Sequence, residues 1–359
     1  MRRLITFLGT RPEIVKLSPV LPRLDARVAH TIVHSGQHYS YEMDAQFFDE
    51  LGLRRPDRTL AVGSASHGEQ TARMLARLEP VIQEVRPDAV LVQGDTNTTL
   101  AGALCAAKLG IPVVHLESGA RSFDRYMPEE LNRIVVDHVS ALLLAADDVA
   151  AANLHAEGLE AARIRIIGST AIDAVRQVRD RLDGATVLDR LQLRPGGYVA
   201  VTAHRAKNTT PDVLPGLLTA LGAIAAERPV VFPLHPRTRG AMAEQGLAMP
   251  PGILVTDPLG YLDTLRLVRD AAALLTDSGG LQEESAVLGT PTLILRFETE
   301  WQYLVTAGAH KLIGNTPASI RDGAARWLSD SGLAEIRATP VPITPGASAA
   351  AVDAMIELV

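Results

Sequence analysis

The sequence predicts an α/β protein made of two Rossmann-like parallel-sheet domains facing a cleft. Three observations predict it. Short Val/Ile/Leu runs alternate with helical stretches along the whole chain, the pattern of parallel sheets with helices on both faces. The 359 residues exceed what one hydrophobic core usually serves. The alternation is broken between Gly168 and Gly197, where Arg194-Pro195-Gly196-Gly197 interrupts the periodicity.

In the first half, apolar runs place strands at Leu4–Leu8, Thr31–His34, Ala89–Val92, Val113–Leu116, Leu142–Ala145 and Ile164–Ile167. Helices begin between them near Pro12, Tyr41, Gly68, Thr98, Pro128 and Asp147. The helix Ala171–Leu182 leads into the linker. The second half repeats the scheme, with strands at Tyr198–Thr202, Val230–Leu234, Ile253–Val255, Ala273–Thr276 and Thr292–Leu295. Its helices begin near Pro211, Tyr261, Gly280 and Ser319. The expected division is residues 1–170 and 171–359, with the final helix Ser348–Leu358 free to pack back on the first domain.

Composition narrows the function. Aromatic residues make up 4% of the chain, too few for platforms that stack single-stranded nucleic acid. The formal net charge is −6 and no Lys/Arg run stands out, so no nucleic-acid partner is expected. A local cluster of donors can still bind a small anion. Cys105 is the only cysteine, which rules out an internal disulfide and fits a reducing cytoplasm. It lies in an Ala-rich helical pattern and reads as core packing. The N-terminal MRRLITFLGTRPE is interrupted by Thr10, Arg11 and Glu13 too soon for a signal peptide, and no run approaches a membrane span. There is no CxxC, no HExxH and no dense His/Asp cluster, so no metal is expected.

The most informative stretch is AAALLTDSGGLQEE, residues 271–284. A strand stops at Asp277, the turn Ser278-Gly279-Gly280 follows, and a helix starts. That order aims free backbone N–H groups at a phosphate, and glycine lets a bulky anion approach the backbone. Glu284, further along the helix, sits where a carboxylate can accept from a ribose diol. A tight β-α turn accounts for the same glycines.

Ligands of open parallel sheets bind at the carboxyl ends of the strands. Polar residues gather there: Arg11 and Glu13 after the first strand, Asp95 after the third, Glu117 after the fourth. In the second half His204-Arg205, His235-Pro236-Arg237 and Arg296 follow strands. Each has a plainer reading: Asp95 as a helix cap, His204 as a hydrogen-bonded core residue, Lys16 as part of a solvated helix face. Pro128-Glu129-Glu130 suits a helix start, and Glu129 and Arg133, four apart, share a face. No GxGxxG follows the first strand, so no dinucleotide cofactor is expected.

Together these segments resemble the non-hydrolysing UDP-N-acetylglucosamine 2-epimerases. The matching stretches are GTRPEIVKLSPV, SGQHYSYEMD, VQGDTNTTLAGALCAAKLGIPVVHLESG, ARSFDRYMPEELNR, VTAHR and DSGGLQEES, in the family's order. The resemblance implies a glycosyltransferase-B type fold, a UDP-sugar substrate, no cofactor and a homodimer. It implies interconversion of UDP-N-acetylglucosamine and UDP-N-acetylmannosamine by anti elimination of UDP and re-addition through a glycal. On this likeness Asp95, Glu117 and Glu129 are the proton-transfer carboxylates, with Arg133 and Lys16 orienting them. His204 and Arg11 would stabilise the leaving diphosphate. Ser278, Gly279, Gly280 and Glu284 would hold phosphate and ribose, with His235 and Arg296 also on the substrate.

Three places depart from the family pattern. Thr299-Glu300-Trp301-Gln302-Tyr303 lacks a Pro-Glu pair, and His204-Arg205 is followed by Ala206-Lys207-Asn208. Relatives can carry an effector site built on a Gln-His and an Arg-Gln pair. Here Gln37-His38 and Gln70 are present, but Glu69 stands at the Arg position. A hydrolysing epimerase releasing N-acetylmannosamine and UDP, or a glycosyltransferase using a UDP-sugar, are the alternative readings.

Overall fold

The computed structural model describes residues 2–37 and 41–359, the side chains of 41–44 aside. The chain forms two compact units, Met1–Gln177 with Thr344–Val359, and Val178–Ile343. The first unit therefore runs past residue 170 and takes back the C-terminal segment.

Among the described residues the first unit holds seven strands. They are β1 (Arg3–Leu8), β2 (Ala29–His34), β3 (Arg58–Thr59), β4 (Ala89–Gln93), β5 (Val113–Ser118), β6 (Leu142–Ala145) and β7 (Ile164–Ile166). All pair in parallel, in the order β3-β2-β1-β4-β5-β6-β7. Ile5 lies opposite both Thr31 and Val90, which sets β1 between β2 and β4. The order reverses between β1 and β4, and such a switch point leaves a crevice at the strands' carboxyl ends.

The core here is made by Ile5, Phe7, Val33, Val90 and Val92 under Met74, Leu78 and Ile82 of the helix His67–Val85. The helix Asn97–Lys108 adds Ala101, Ala103, Cys105 and Ala106. Its small residues are needed, since a Cβ on Gly102 would lie 2.7 Å from Phe7 and 2.8 Å from Val92. Cys105 is buried in this core, and burial, with the Glu79 charge, pushes its thiol up to about 11. The last helix, Ala347–Leu358, has its N-terminus held by Asp173, which accepts from the backbone N–H groups of Gly346 and Ser348 at 2.8 Å each. A carboxylate at a helix start satisfies orphan donors and suits the dipole.

The second unit, taken by itself, holds β8 (Val199–Thr202), β9 (Val230–Pro233), β10 (Ile253–Thr256), β11 (Ala273–Thr276), β12 (Thr292–Ile294) and β13 (His310–Leu312). Its parallel order is β10-β9-β8-β11-β12-β13. The switch point falls between β8 and β11. Val199, Val201, Phe232, Leu275 and Leu293 pack with Leu214, Leu217, Leu218 and Leu221 of the helix Leu214–Glu227.

Several expectations are corrected. β3 and β13 were not foreseen: both are short edge strands with few apolar residues. The helix expected over Ala171–Leu182 is α-helical only over Thr170–Val178 and tightens to a 3-10 turn over Arg179–Gly184. The helix expected near Pro211 begins at Leu214, after a turn. Among the described residues no helix is long and apolar enough to cross a membrane.

Candidate active site residues in each unit

At the first switch point two turns meet, Gly9-Thr10 after β1 and Gly94-Asp95-Thr96 after β4. Glu13 ties them together. One of its oxygens accepts from the backbone N–H groups of Gly9 and Thr10, both at 2.7 Å. The other accepts from the hydroxyls of Thr96 at 2.7 Å and Thr99 at 3.1 Å. Burial pushes the Glu13 carboxyl above the usual range, and the bonds from Thr96, Gly9 and Thr10 only partly oppose this.

Asp95 is not the helix cap that its position allows. Thr96 caps the helix Asn97–Lys108, its hydroxyl accepting from the Thr99 N–H at 3.2 Å. The Asp95 carboxylate instead accepts from Arg133 Nη2 at 2.5 Å, and its carbonyl accepts from Asn132 Nδ2 at 2.8 Å. Arg133 lies on the helix Pro128–Val139 and gives its other nitrogen to Glu130 at 2.8 Å. The four-residue partner expected of Arg133, Glu129, is exposed and is not its acid. The pair forms at three residues because Glu130 points inward, where it also accepts from the Ser122 and Phe123 N–H groups at 2.9 Å each. Burial pushes the Glu130 carboxyl up, but those N–H groups and Arg133 outweigh it and hold it below the usual range. Arg133 is held charged: burial disfavours the cation, and Asp95 and Glu130 more than compensate.

Glu117 is the last residue but one of β5, beside Gln93 at the end of β4. Lys16 Nζ donates to its two oxygens at 2.6 and 2.5 Å, and Gln93 Nε2 donates at 2.7 Å. Lys16 is thus no solvated lysine; its side chain is 12% exposed. Glu117 has φ +70°, and the β5–β6 register shifts between Leu116 and Ser118. A non-glycine residue in that region costs on the order of 1 kcal/mol or more and persists where its surroundings over-determine it. Arg11 opens the helix Arg11–Leu17, its guanidinium carbon 5.4 Å from the centre of the Phe47 ring.

The second unit repeats the logic at its own switch point. Asp277, immediately after β11, is fully buried. It accepts from the backbone N–H groups of His204 at 2.8 Å and Arg205 at 2.9 Å, and from Asn208 Nδ2 at 2.9 Å. Burial pushes its carboxyl up, but His204 and these N–H groups win and hold it low. His204 Nδ1 lies 3.2 Å from Asp277 Oδ1, and its ring stacks on His235 at 5.0 Å. With a side chain 33% exposed, His204 is not a core residue. His235 caps the helix Pro236–Glu244 through Nδ1, which accepts from the Arg237 N–H at 3.1 Å.

Ser278 caps the helix Gly279–Leu288, accepting from the Leu281 N–H at 3.5 Å. The Gly279 carbonyl accepts from Trp301 Nε1 at 2.8 Å, so the residue just before the missing Pro-Glu pair supports the turn. Gly280 has open space where a side chain would be. Glu284 is buried near Tyr261; burial first, then the Glu284 charge, pushes the Tyr261 phenol well up. Arg296 forks onto Glu300 at 2.7 and 3.1 Å, and Arg205 Nη1 reaches the same carboxylate at 3.2 Å. Asn208 keeps its bond to Asp277 despite the Ala206-Lys207 departure.

The structure gives supporting roles to Glu13, Glu130, Asp277 and Glu300, to which the sequence assigned none. Asp277 carried a signal, as the polar residue that ends an apolar strand before Ser-Gly-Gly. At the effector position, Glu69 pairs with Arg73. Gln70 gives its amide N–H groups to the Gln37 and Gly63 carbonyls and accepts from Asn97. His38 lies outside the described residues.

Residues 23–357 match the sequence family described as UDP-N-acetylglucosamine 2-epimerase. The chain is 41% identical over 341 residues to a UDP-N-acetylglucosamine 2-epimerase of Methanococcus maripaludis, spanning 92% of this chain and 93% of that one. It is 42% identical over 318 residues to a UDP-2,3-diacetamido-2,3-dideoxy-D-glucuronate 2-epimerase of Pseudomonas aeruginosa, spanning 87% and 88%. A crystal structure of the Methanocaldococcus jannaschii UDP-GlcNAc 2-epimerase, in complex with UDP-GlcNAc and UDP, matches with a TM-score of 0.91 at 38% identity over 99% of each chain. The shared fold is two parallel-sheet α/β domains of glycosyltransferase-B type.

Proposed function

This chain belongs to the UDP-N-acetylglucosamine 2-epimerase family, and from that premise we propose that it interconverts UDP-N-acetylglucosamine and UDP-N-acetylmannosamine without releasing free sugar. A base removes the proton on carbon 2 and the C–H electron pair forms the C1–C2 double bond. The C1–O bond breaks, and UDP leaves with its electrons. UDP oxygen then adds back to carbon 1 as a proton arrives at carbon 2 from the opposite face. Such a sequence needs an acid/base group for each face and firm stabilisation of the departing diphosphate.

One observation carries this reading: two carboxylates at neighbouring strand ends, each held by its own cation, Asp95 by Arg133 and Glu117 by Lys16. Asp95 and Glu117, with Glu129, are assigned the proton transfers. His204 and Arg11 are assigned to the leaving diphosphate. The free N–H groups starting the helix Gly279–Leu288 suit a phosphate, and Glu284 suits the ribose. His235 and Arg296 complete the substrate-binding set. A homodimer acting in the cytoplasm belongs to the same reading, and sedimentation equilibrium tests the dimer.

A second sugar has a specific support, the 42% identity to the relative named for a diacetamido-dideoxy-glucuronate. The test covers both. The protein is incubated in deuterated water with UDP-N-acetylglucosamine, and separately with the UDP-linked 2,3-diacetamido uronate. Deuterium at carbon 2 with the UDP linkage intact is the expected result, and the faster substrate names the sugar. No deuterium with either sugar sinks the epimerase reading; free UDP appearing in step with free N-acetylmannosamine replaces it with the hydrolysing one.

A further inference from the structure

Behind the Asp95 and Glu117 turns lies a buried polar cluster with no assigned role. Asp137, on the helix Pro128–Val139, is fully buried. Its Oδ1 lies 2.6 Å from His115 Nδ1. Its Oδ2 accepts from the Gly119 N–H at 3.1 Å and from Arg121 Nη2 at 2.7 Å. Arg121 is balanced in turn by Glu157, at 2.7 and 2.8 Å. His115 is fully buried on β5, and its other ring nitrogen lies 2.8 Å from the Gly94 carbonyl. The imidazole therefore bridges an acid on a helix and a carbonyl on a turn.

The two backbone sites reached are not arbitrary. Gly94 immediately precedes Asp95, and Gly119 follows Glu117 by two residues. Both have positive φ, +75° and +79°. A Cβ on Gly119 would lie 2.3 Å from the Ala150 carbonyl oxygen, so this turn is also wedged from behind. The same helix holds Asp95 directly, through Asn132 on its carbonyl and Arg133 on its carboxylate. A fully buried His and Asp are costly unless satisfied, and here each polar atom has a partner in the other residue, on one of the two turns or on Arg121.

We propose that Asp137 and His115 are a positioning pair that fixes the Asp95 turn against the Glu117 turn, and so sets the separation of the two carboxylates. The inference rests on the epimerase reading of those carboxylates. Neither residue touches the sugar. Each acts through backbone beside the residue that does, Gly94 before Asp95 and Gly119 after Glu117, and a misplacement of about 1 Å can cost on the order of a hundred-fold in rate.

The test compares His115→Gln, Asp137→Asn and the double variant with wild type, using UDP-N-acetylglucosamine as substrate and UDP as the binding probe. Gln keeps a donor long enough for the Gly94 carbonyl but gives up the Asp137 contact. Each single variant is expected to lose about ten- to a hundred-fold in kcat, with KM and the UDP Kd unchanged within about two-fold. The double variant is expected to lose no more than the worse single one, because one bridge has been broken twice. Wild-type kcat in variants with a lowered Tm overturns the pair as a positioning device, and so do losses that multiply in the double variant. Should Asp137→Asn not fold, His115→Gln decides by its kcat alone. A wild-type protein that leaves carbon 2 unexchanged overturns the functional reading, and this inference with it; an active wild type with fully active variants overturns this inference alone.

Discussion

Lys16 Nζ sits 2.6 and 2.5 Å from the two oxygens of Glu117, straddling the carboxylate from a helix 101 residues earlier in the chain. Among the described residues Glu117 has one other side-chain donor, Gln93 at 2.7 Å. The cation therefore fixes the position of the carboxylate. Lys16→Met should lower kcat by about a hundred-fold while UDP binding stays within about two-fold. Initial rates of deuterium incorporation at carbon 2, beside calorimetric UDP titration, measure both. A loss of UDP affinity as large as the loss of rate would move Lys16 from orienting the acid to holding the nucleotide.

Asp95 stands in the same relation to Arg133. Asp95→Asn keeps the side chain's shape and removes the proton acceptor. The expected cost is about 10²- to 10⁴-fold in kcat, the usual weight of one general acid or base, with an unchanged UDP Kd. Stopped assays with both UDP-hexosamines as starting material check it in each direction. A rate within ten-fold of wild type would remove Asp95 from the chemistry.

Glu129 and Glu130 should separate cleanly. Glu130 is buried and bonds Arg133 and two backbone N–H groups, so Glu130→Gln should destabilise the protein by about 2 kcal/mol. Glu129 is exposed, so Glu129→Gln should leave Tm where it is and lower kcat. Thermal melts and steady-state rates on the two variants give a crossed result. The reverse pattern would mean that Glu130 is the reacting acid.

The origin of that ambiguity shows what a single sequence can carry. The strands written as Val/Ile/Leu runs were legible, because strands buried on both faces have no other way to be written. Arg58–Thr59 and His310–Leu312 were not, since edge strands bury less and need fewer apolar residues. Residues at strand ends could be found by the topology rule, which brought Asp95, Glu117, His204 and the Ser278 turn into view. Their partners could not. On one helix Glu129 and Glu130 are four and three residues from Arg133, and both spacings share a face; only the inward turn of Glu130 toward Ser122 and Phe123 decides. His115 and Asp137 were hidden for a related reason. One reads as a strand residue and the other as a helix residue, and no local pattern announces that they meet.

Acid should unfold the second unit through Glu300. Burial alone would raise its carboxyl, yet Arg296 and Arg205 bring it from 4.5 down to about 2. The folded value lies below the unfolded one, so the stabilisation is complete above about pH 4.5 and is lost as pH falls from there toward 2. The side chain is 11% exposed, and the pair contributes on the order of 3 kcal/mol at neutral pH. Asp277 is shifted in the same direction. Melts of wild type and Glu300→Gln between pH 7 and 3 should show a variant that starts lower and falls less, the two curves converging in acid. Parallel curves would show that the arginine fork adds nothing to the acid limb.

Gly280 offers the sharpest separation of folding from binding. It is the second residue of the helix Gly279–Leu288, its φ is not positive, and a Cβ built there meets no atom within 4 Å. Alanine is favoured over glycine in a helix by up to about 1 kcal/mol, so Gly280→Ala should melt at or above the wild-type temperature. Nothing in the fold asks for glycine here. A phosphate reaching the free N–H groups at the start of this helix does ask for it, because the added methyl would stand in the approach. UDP affinity should therefore fall by about ten-fold or more while Tm holds or rises. Gly279→Ala is a poorer probe, since its Cβ would lie 3.2 Å from Arg205 Nη2 and would disturb a residue bonded to Glu300. Calorimetric titration of UDP into Gly280→Ala reads the answer directly. An unchanged Kd would mean that the diphosphate is held away from this turn, and the binding roles given to Ser278, Gly279 and Gly280 would have to be moved elsewhere.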